Sequence, residues 1–253
     1  MTMQIPAPAV LVVVAHPDDE VLGAGGTIQH HVAQGHKVHV VIVADNARTI
    51  GGAVRLPEAT HEAAEILGIT GFRFLNLRGM TLDTMREIEL TQILAPAIED
   101  AASRGEPFVA VYSHHDGDLN SDHRAVARAV RILFRPNPGA WPSTRRLLAV
   151  EIPSSTEFGS RPFFHPSVFV PMGEVALNAK LAAMACYSAE VREAPHPRSL
   201  TVLRARATTW GAAAGVRYAE PFILIHEVGL CSANTTGTTA STAATTSTRS
   251  GGS

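Results

Sequence analysis

Apolar runs alternate along the chain with segments in which apolar residues recur at helical spacing. The strand-like runs span residues 11–15, 37–44, 72–75, 108–112, 147–152 and 222–225. The helix-like segments span residues 21–34, 85–102, 124–133, 173–184 and 199–213. Pro96 should kink or split the second of these helices. The alternation is typical of βαβ units and predicts a Rossmann-like α/β fold, with a mostly parallel sheet and helices on both faces.

The first strand-like run ends in a cluster of side chains that bind metals and carry protons. The sequence HPDDE follows the run directly, at positions 16–20. Ligands of open α/β sheets bind where strands end, so His16 is predicted at the rim of the sheet. Imidazole and a carboxylate are zinc ligands, and a neighbouring carboxylate can accept a proton from water. The alternative is that Asp18 or Asp19 only caps the following helix.

A second cluster follows the strand-like run at residues 108–112. The loop SHHDGDLNSDH, at positions 113–123, contains three histidines and three aspartates and leads into an amphipathic helix. If the two strands are neighbours, the clusters meet. His16, Asp19 and His123 then supply three metal ligands and leave a position for water, as catalytic zinc requires. Two histidines and one carboxylate also suit Fe²⁺.

Two motifs carry a resemblance to a known family. AHPDDE at positions 15–20 and HHDGDLNSDHRAV at positions 114–126 resemble the LmbE-like (PIG-L) zinc-dependent N-deacetylases. These enzymes remove acetyl groups from N-acetylglucosamine-type sugars. Further family-like segments lie at residues 55–58, 63–68, 151–157, 195–199 and 218–222.

The resemblance implies a role for each residue of the first motifs. His16, Asp19 and His123 are expected to be the metal ligands, and Asp18 is expected to be the general base. Some members carry a histidine three residues before the second ligand histidine, where it stabilises the oxyanion or protonates the leaving amine. This chain has Asn120 there. An asparagine donates a hydrogen bond but cannot deliver a proton.

The remaining candidates have two interpretations each. His114, His115 or His196 could supply the missing acid, and His196 is favoured because it lies in a family-like segment; the alternative for each is a packed or solvated histidine. Asp122 is predicted to orient an imidazole or to cap the helix after it. Glu20 is predicted to orient a ligand or cap backbone amides, the alternative being a solvated glutamate.

Two arginines complete the set of candidate residues. Arg55 and Arg198 are expected to contact substrate hydroxyls or a phosphate, or else to form surface ion pairs. The glycines of the sequence GAGG at positions 23–26 do not have GxGxxG spacing, and they follow an acidic turn that would repel phosphate. We therefore expect them to permit close packing beneath the site.

Three functional hypotheses follow. The first is a metal-dependent hydrolase that deacetylates an N-acetylated amino sugar or a conjugate of one. The second is a noncatalytic, metal-dependent sugar-binding or regulatory protein; the loss of histidine at Asn120 favours it, and the retention of Asp18 opposes it. The third is an amidase that acts on a non-sugar acylated metabolite.

The length and composition of the chain indicate its domain organisation. The chain has 253 residues, of which 45% are hydrophobic and 17% charged, so it can bury a substantial core. We expect one α/β domain over residues 1–231 and a disordered Ser/Thr/Ala/Gly-rich tail over residues 232–253.

The net charge of −2 argues against a nucleic-acid partner. No membrane span or signal-peptide pattern is recognised, which predicts a cytoplasmic protein. The oligomeric state stays open, a homo-oligomer included.

Overall fold

The computed structural model describes residues 8–45, 56–102, 108–136, 144 and 146–228. The strands are β1 (Ala9–Val14), β2 (Lys37–Asp45), β3 (Gly71–Arg78), β4 (Phe108–Ser113), β5 (Arg146–Val150), β6 (Val168–Met172) and β7 (Tyr218–Glu227). The helices are α1 (Asp19–Ala33), α2 (Leu56–Leu67), α3 (Glu87–Ala102), α4 (Ser121–Leu133), α5 (Glu174–Cys186) and α6 (Leu200–Ala214). Two short 3₁₀ helices span Leu82–Thr84 and Thr156–Phe158.

The strands form a seven-stranded sheet in the order β3-β2-β1-β4-β5-β7-β6. The pairs along β3-β2-β1-β4-β5 are parallel, whereas β7 pairs antiparallel with both β5 and β6. The predicted mostly parallel α/β sheet is therefore confirmed. The antiparallel edge was not predicted, because β6 is a short strand that contains Pro171 and is only partly buried.

Helices cover both faces of the sheet, as predicted. β1 lies in the middle of the sheet and is fully buried, and its successive side chains point to opposite faces. Val10, Val12 and Val14 pack in a core shared with α1, α2, α5 and α6. Leu11 and Val13 pack in a second core with α3 and α4.

Of the two effects predicted for Pro96, a kink or a split, the split is wrong, since α3 continues through this residue. A proline inside a helix removes one hydrogen bond and costs about 3 kcal/mol. Leu94 before the proline and Ile98 after it are both fully buried in the same core. Burial of both halves of the helix against one sheet face offsets the lost bond.

Two glycines of α1 let this helix approach the sheet closely. A β-carbon at Gly23 would lie 2.8 Å from Val150 Cβ, and one at Gly26 would overlap Met172 Sδ. The predicted close packing by small residues is thus confirmed. It holds α1 against β5 and β6, with its N-terminus beside the end of β1.

Some predictions lie outside the described residues. These are Arg55 and the tail over residues 232–253. The single-domain boundary at residue 231 stays a prediction for the same reason. Within the described ranges, no helix is long and apolar enough to cross a bilayer.

Candidate metal centre

The two predicted clusters meet because β1 and β4 are neighbouring parallel strands. His16 follows β1, and Asp19 is the first residue of α1. His123 lies in the first turn of α4, after the loop that leaves β4. The carboxyl ends of the two strands lie at the same edge of the sheet, which brings the three side chains together.

His16, Asp19 and His123 form a compact triad. His16 Nδ1 lies 3.4 Å from Asp19 Oδ2 and 3.3 Å from His123 Nε2, and His123 Nε2 lies 3.3 Å from Asp19 Oδ2. Ligand atoms about 2.0–2.1 Å from a tetrahedral zinc ion lie about 3.3–3.4 Å from one another. The triad atoms therefore have the spacing of three corners of a zinc tetrahedron, and the residues are only 4%, 2% and 2% exposed.

Two further aspartates hold the histidine rings from behind. His16 Nε2 lies 3.0 Å from Asp122 Oδ2, and Asp122 also accepts the backbone N–H groups of Met80 and Leu82. His123 Nδ1 lies 3.2 Å from Asp118 Oδ1. Histidines that bind metals characteristically direct their other ring nitrogen at a carboxylate or carbonyl, which fixes the ring orientation.

Asp118 is itself held by a separate loop. Its carboxylate accepts the hydroxyls of Ser155 and Thr156 and the backbone N–H of Asn120. The loop that carries it depends on close backbone contact, because a β-carbon at Gly117 would overlap Pro162 O. The sequence shows Asp118 as one of three aspartates in this loop, and no sequence signal distinguishes it from the other two.

The carboxylates make the triad attractive to positive charge. Burial lowers the pKa of His16, but Asp122 and Asp19 outweigh it and raise that pKa to about 9. Burial likewise opposes charge on His123, and Asp19 and Asp118 raise its pKa to about 10. Burial would raise the pKa of Asp19, but the adjacent histidines hold it well below its usual range. Such surroundings fit a bound cation.

Asp18 occupies a left-handed conformation beside the triad, with φ 98° and ψ −26°. It stands at the N-cap position of α1, yet its side chain makes no capping hydrogen bond. The carboxylate instead accepts a bond from Arg198 Nη1 at 3.1 Å. Burial and the adjacent Asp19 raise the pKa of Asp18, and Arg198 opposes the rise. The strained backbone thus presents a buried carboxylate next to the ligands, without binding it to the helix end.

Arg198 is part of the site rather than a surface arginine. Besides Asp18, it donates to Glu190 Oε2 at 2.7 Å and to Ser154 Oγ at 2.8 Å. The structure gives it ion pairs with both carboxylates. Sequence reasoning missed this link, because Asp18 and Arg198 are 180 positions apart and no local pattern relates them.

Glu20 is buried, so its interpretation as a solvated glutamate is wrong. Its carboxylate accepts the backbone N–H of Asp18 at 3.1 Å and lies 2.5 Å from Tyr187 Oη. Burial raises the pKa of Glu20 to about 7, although the bond from Tyr187 opposes the rise. The hydrogen-bonded pair of Glu20 and Tyr187 stabilises the turn that carries Asp18. Sequence reasoning gave no signal for Tyr187, which follows α5.

Asn120 and Asp122 both act at the start of α4. Asn120 is the N-cap residue, and its side chain accepts the backbone N–H of Asp122 at 2.9 Å. The capping role considered for Asp122 is therefore filled by Asn120, while the carboxylate of Asp122 lies against His16.

The three candidate acids have other partners. His114 Nε2 accepts the backbone N–H of Ala15, its ring stacks on His123, and burial lowers its pKa to about 4. His115 Nε2 lies 2.6 Å from Pro162 O and donates to this carbonyl. His196 Nδ1 accepts the backbone N–H of Arg198, which places His196 beside the arginine that contacts Asp18.

Comparison with known proteins places these residues in a family. Residues 11–134 match PIG-L, described as GlcNAc-PI de-N-acetylase. The matched range includes the complete triad and Asp18. The predicted resemblance to this family is confirmed over these residues.

Two related proteins and one solved structure align with most of the chain. The uncharacterized deacetylase YaiS of Escherichia coli is 28% identical over 179 residues, which cover 69% of this chain and 88% of that protein. The diacetylchitobiose deacetylase of Thermococcus kodakarensis is 27% identical over 237 residues, 86% of this chain and 85% of the relative. The crystal structure of the conserved protein TT1542 from Thermus thermophilus aligns with a TM-score of 0.65 at 25% identity and covers 87% of this chain and 96% of that one.

Proposed function

We propose that this protein is a zinc-dependent N-deacetylase that hydrolyses the acetamide of an N-acetylglucosamine-type sugar or conjugate. The observation that carries the proposal is a buried triad with tetrahedral ligand spacing and a separate carboxylate, Asp18, beside it. The family description and the diacetylchitobiose deacetylase relative support the substrate class. The spacing favours zinc, with Fe²⁺ as the alternative metal.

His16, Asp19 and His123 would hold the metal. A zinc ion there would supply Lewis acidity, which polarises a carbonyl oxygen and lowers the pKa of water to about 7. Asp122 and Asp118 keep the two imidazole rings in the ligating orientation. With three protein ligands, a zinc ion held here would keep one coordination position for water or substrate.

Asp18 is the proton carrier of the proposed reaction. Its carboxylate accepts a proton from the attacking water, and its raised pKa makes it a stronger proton acceptor than an exposed aspartate. The same proton then passes to the amide nitrogen as the C–N bond breaks, so that water and amide give acetate and a free amine. Arg198 Nη1 donates a hydrogen bond that holds the carboxylate in place.

The test is the variant Asp18→Asn, assayed for amine release from N-acetylglucosamine, diacetylchitobiose and a glucosaminyl conjugate. Loss of a general base should lower kcat by about 10²–10⁴-fold, while the bound zinc stays stoichiometric. Asp116→Asn is the matched control, because Asp116 lies in the histidine loop but pairs with Arg131. It should keep wild-type activity.

Three outcomes would overturn the proposal. Unchanged turnover in Asp18→Asn would exclude this residue as the base. Calorimetric binding of the sugars to zinc-loaded wild type without any turnover would indicate a noncatalytic binding protein. Turnover confined to non-sugar N-acyl amides would leave an amidase of another substrate class. The cytoplasmic location stays a prediction from sequence.

A further inference from the structure

Glu190 is a buried carboxylate that takes no direct part in the proposed reaction. It lies in the turn that follows α5, where its backbone N–H donates to Tyr187 O at 2.8 Å. A buried carboxylate is costly unless it is paired. Among the described residues, the partner of its side chain is Arg198, the arginine that also contacts Asp18. This placement indicates that Glu190 acts on the catalytic centre through Arg198.

One nitrogen of Arg198 is shared between the two carboxylates. Arg198 Nη1 lies 2.7 Å from Glu190 Oε2 and 3.1 Å from Asp18 Oδ2. Hydrogen bonds between a cationic N–H and a carboxylate are about 2.7–2.9 Å long when they are strong. The bond to Glu190 is therefore the stronger of the two, and Glu190 decides where Nη1 lies.

Ser154 holds a second nitrogen of the same guanidinium group. Arg198 Nε donates to Ser154 Oγ at 2.8 Å. Ser154 has a φ of 78° and Asp18 a φ of 98°, so both partners of Arg198 adopt left-handed conformations. Such strain persists only where the surrounding structure fixes the backbone. With Ser154 on Nε and Glu190 on Nη1, the plane of the guanidinium group is fixed in one orientation.

This orientation gives Asp18 one hydrogen bond from Arg198 instead of two. Arginine and a carboxylate frequently form a bidentate pair, in which two N–H groups bind both oxygens. Here Arg198 contacts only Oδ2 of Asp18, through Nη1. No described residue donates a hydrogen bond to Asp18 Oδ1. This oxygen is therefore available to accept a proton from the attacking water.

We propose that Glu190 is a positioning residue of the deacetylase reaction, which prevents Arg198 from forming a bidentate pair with Asp18. The inference rests on the proposed role of Asp18 as the proton carrier. Without Glu190, Arg198 Nη1 loses its closer partner, and the guanidinium group turns both terminal nitrogens toward Asp18. The bidentate pair then occupies the oxygen that the water needs, so kcat falls.

The experiment compares variants of the zinc-loaded, full-length protein by amine release from diacetylchitobiose. Glu190→Ala should lower kcat by about 10²-fold, the cost of misplacing a catalytic group by about 1 Å, with little change in KM. Glu190→Gln keeps an acceptor for Arg198 Nη1 and should retain most of kcat. Glu193→Ala is the matched control, because Glu193 is exposed in the same segment, and it should keep wild-type kcat.

A double-mutant cycle tests whether Glu190 acts through Arg198. In the Arg198→Ala background, Glu190→Ala should cause no further loss of kcat, because the group that Glu190 holds is gone. Equal fold losses of kcat with and without Arg198 would overturn the proposal. A crystal structure of zinc-loaded Glu190→Ala should show Nη1 and Nη2 of Arg198 both bonded to Asp18.

Three further outcomes would overturn the proposal. These are an unchanged kcat in Glu190→Ala, a loss in Glu190→Gln equal to that in Glu190→Ala, and an Arg198 that keeps its orientation in the Glu190→Ala crystal. Thermal melting and zinc content separate a positioning effect from loss of the fold. If the wild type itself lacks turnover, the proposed function fails, and the orientation of Arg198 in the Glu190→Ala crystal still decides the role of Glu190.

Discussion

Histidines lie near both ends of α1, in opposite electrostatic surroundings. At the N-terminal end, carboxylates raise the pKa of His16 to about 9 and that of His123 to about 10. At the C-terminal end, burial and neighbouring cations lower the pKa of His31 to about 4. A cluster of histidines therefore does not define one kind of site. The neighbouring carboxylates or cations decide whether positive charge is favoured at each cluster.

The largest expected effect is at the triad itself. His123→Ala removes a direct ligand, so zinc affinity should fall by more than about 100-fold, the upper limit usual for outer partners. Zinc measured after dialysis against a chelator checks this expectation. Retention of zinc equal to that of the wild type would contradict the ligand role of His123.

Asp122→Asn tests whether the carboxylates distinguish the catalytic end. The amide keeps the shape of the side chain but loses the charge beside His16, which should weaken zinc binding about 10–100-fold. Competition against a chromophoric chelator gives the affinity. Asp116→Asn, in the same loop, should leave the affinity unchanged. An unaltered zinc affinity in Asp122→Asn would show that this carboxylate does not contribute to zinc binding.

The lowered pKa of His31, at the C-terminal end of α1, should make the free energy of unfolding depend on pH. The pKa of His31 is lowered from 6.5 to about 4, so protonation favours the unfolded state. Its contribution is fully present above pH 6.5 and is lost as pH falls toward 4. Urea unfolding at neutral pH and near pH 4.5 should show a loss of about 2 kcal/mol that His31→Asn lacks. Equal losses in the wild type and the variant would contradict the shifted titration.

The smallest effect is expected from Tyr112→Phe. This change removes the hydroxyl that bonds to His31 Nε2 and keeps the ring that packs against Phe222. The free energy of unfolding should fall by about 0.5–1.5 kcal/mol, the usual value of one hydrogen bond. Urea denaturation measures it. A change in zinc affinity would contradict the placement of Tyr112 outside the catalytic centre.

Much of the fold follows from local pattern. The fully apolar β1 predicts a central strand, and the ligand types after β1 and β4 predict a site at their shared edge. His16, Asp19 and His123 could be predicted as ligands because both motifs directly follow strand-like runs, and the clusters meet if those strands are neighbours. β6 escaped prediction, since a short edge strand with a proline lacks a strong apolar signal.

The rest of the site depends on contacts between distant segments. Asp18 meets Arg198, and Glu20 meets Tyr187, because the segment after α5 packs over the start of α1. Neither pair has a fixed spacing in sequence that a pattern could reveal. Asp118 could not be separated from its loop neighbours, because only the tertiary structure shows which carboxylate reaches His123.

The central claim is that one divalent ion is held by His16, Asp19 and His123 while Asp18 stays unbound beside it. Anomalous diffraction at the zinc edge from crystals of the zinc-loaded protein tests it most directly. The account predicts one catalytic peak bonded to His16 Nδ1, Asp19 Oδ2 and His123 Nε2, with the Asp18 carboxylate outside bonding distance. A peak coordinated by Asp18, or one that lacks either histidine, would contradict it.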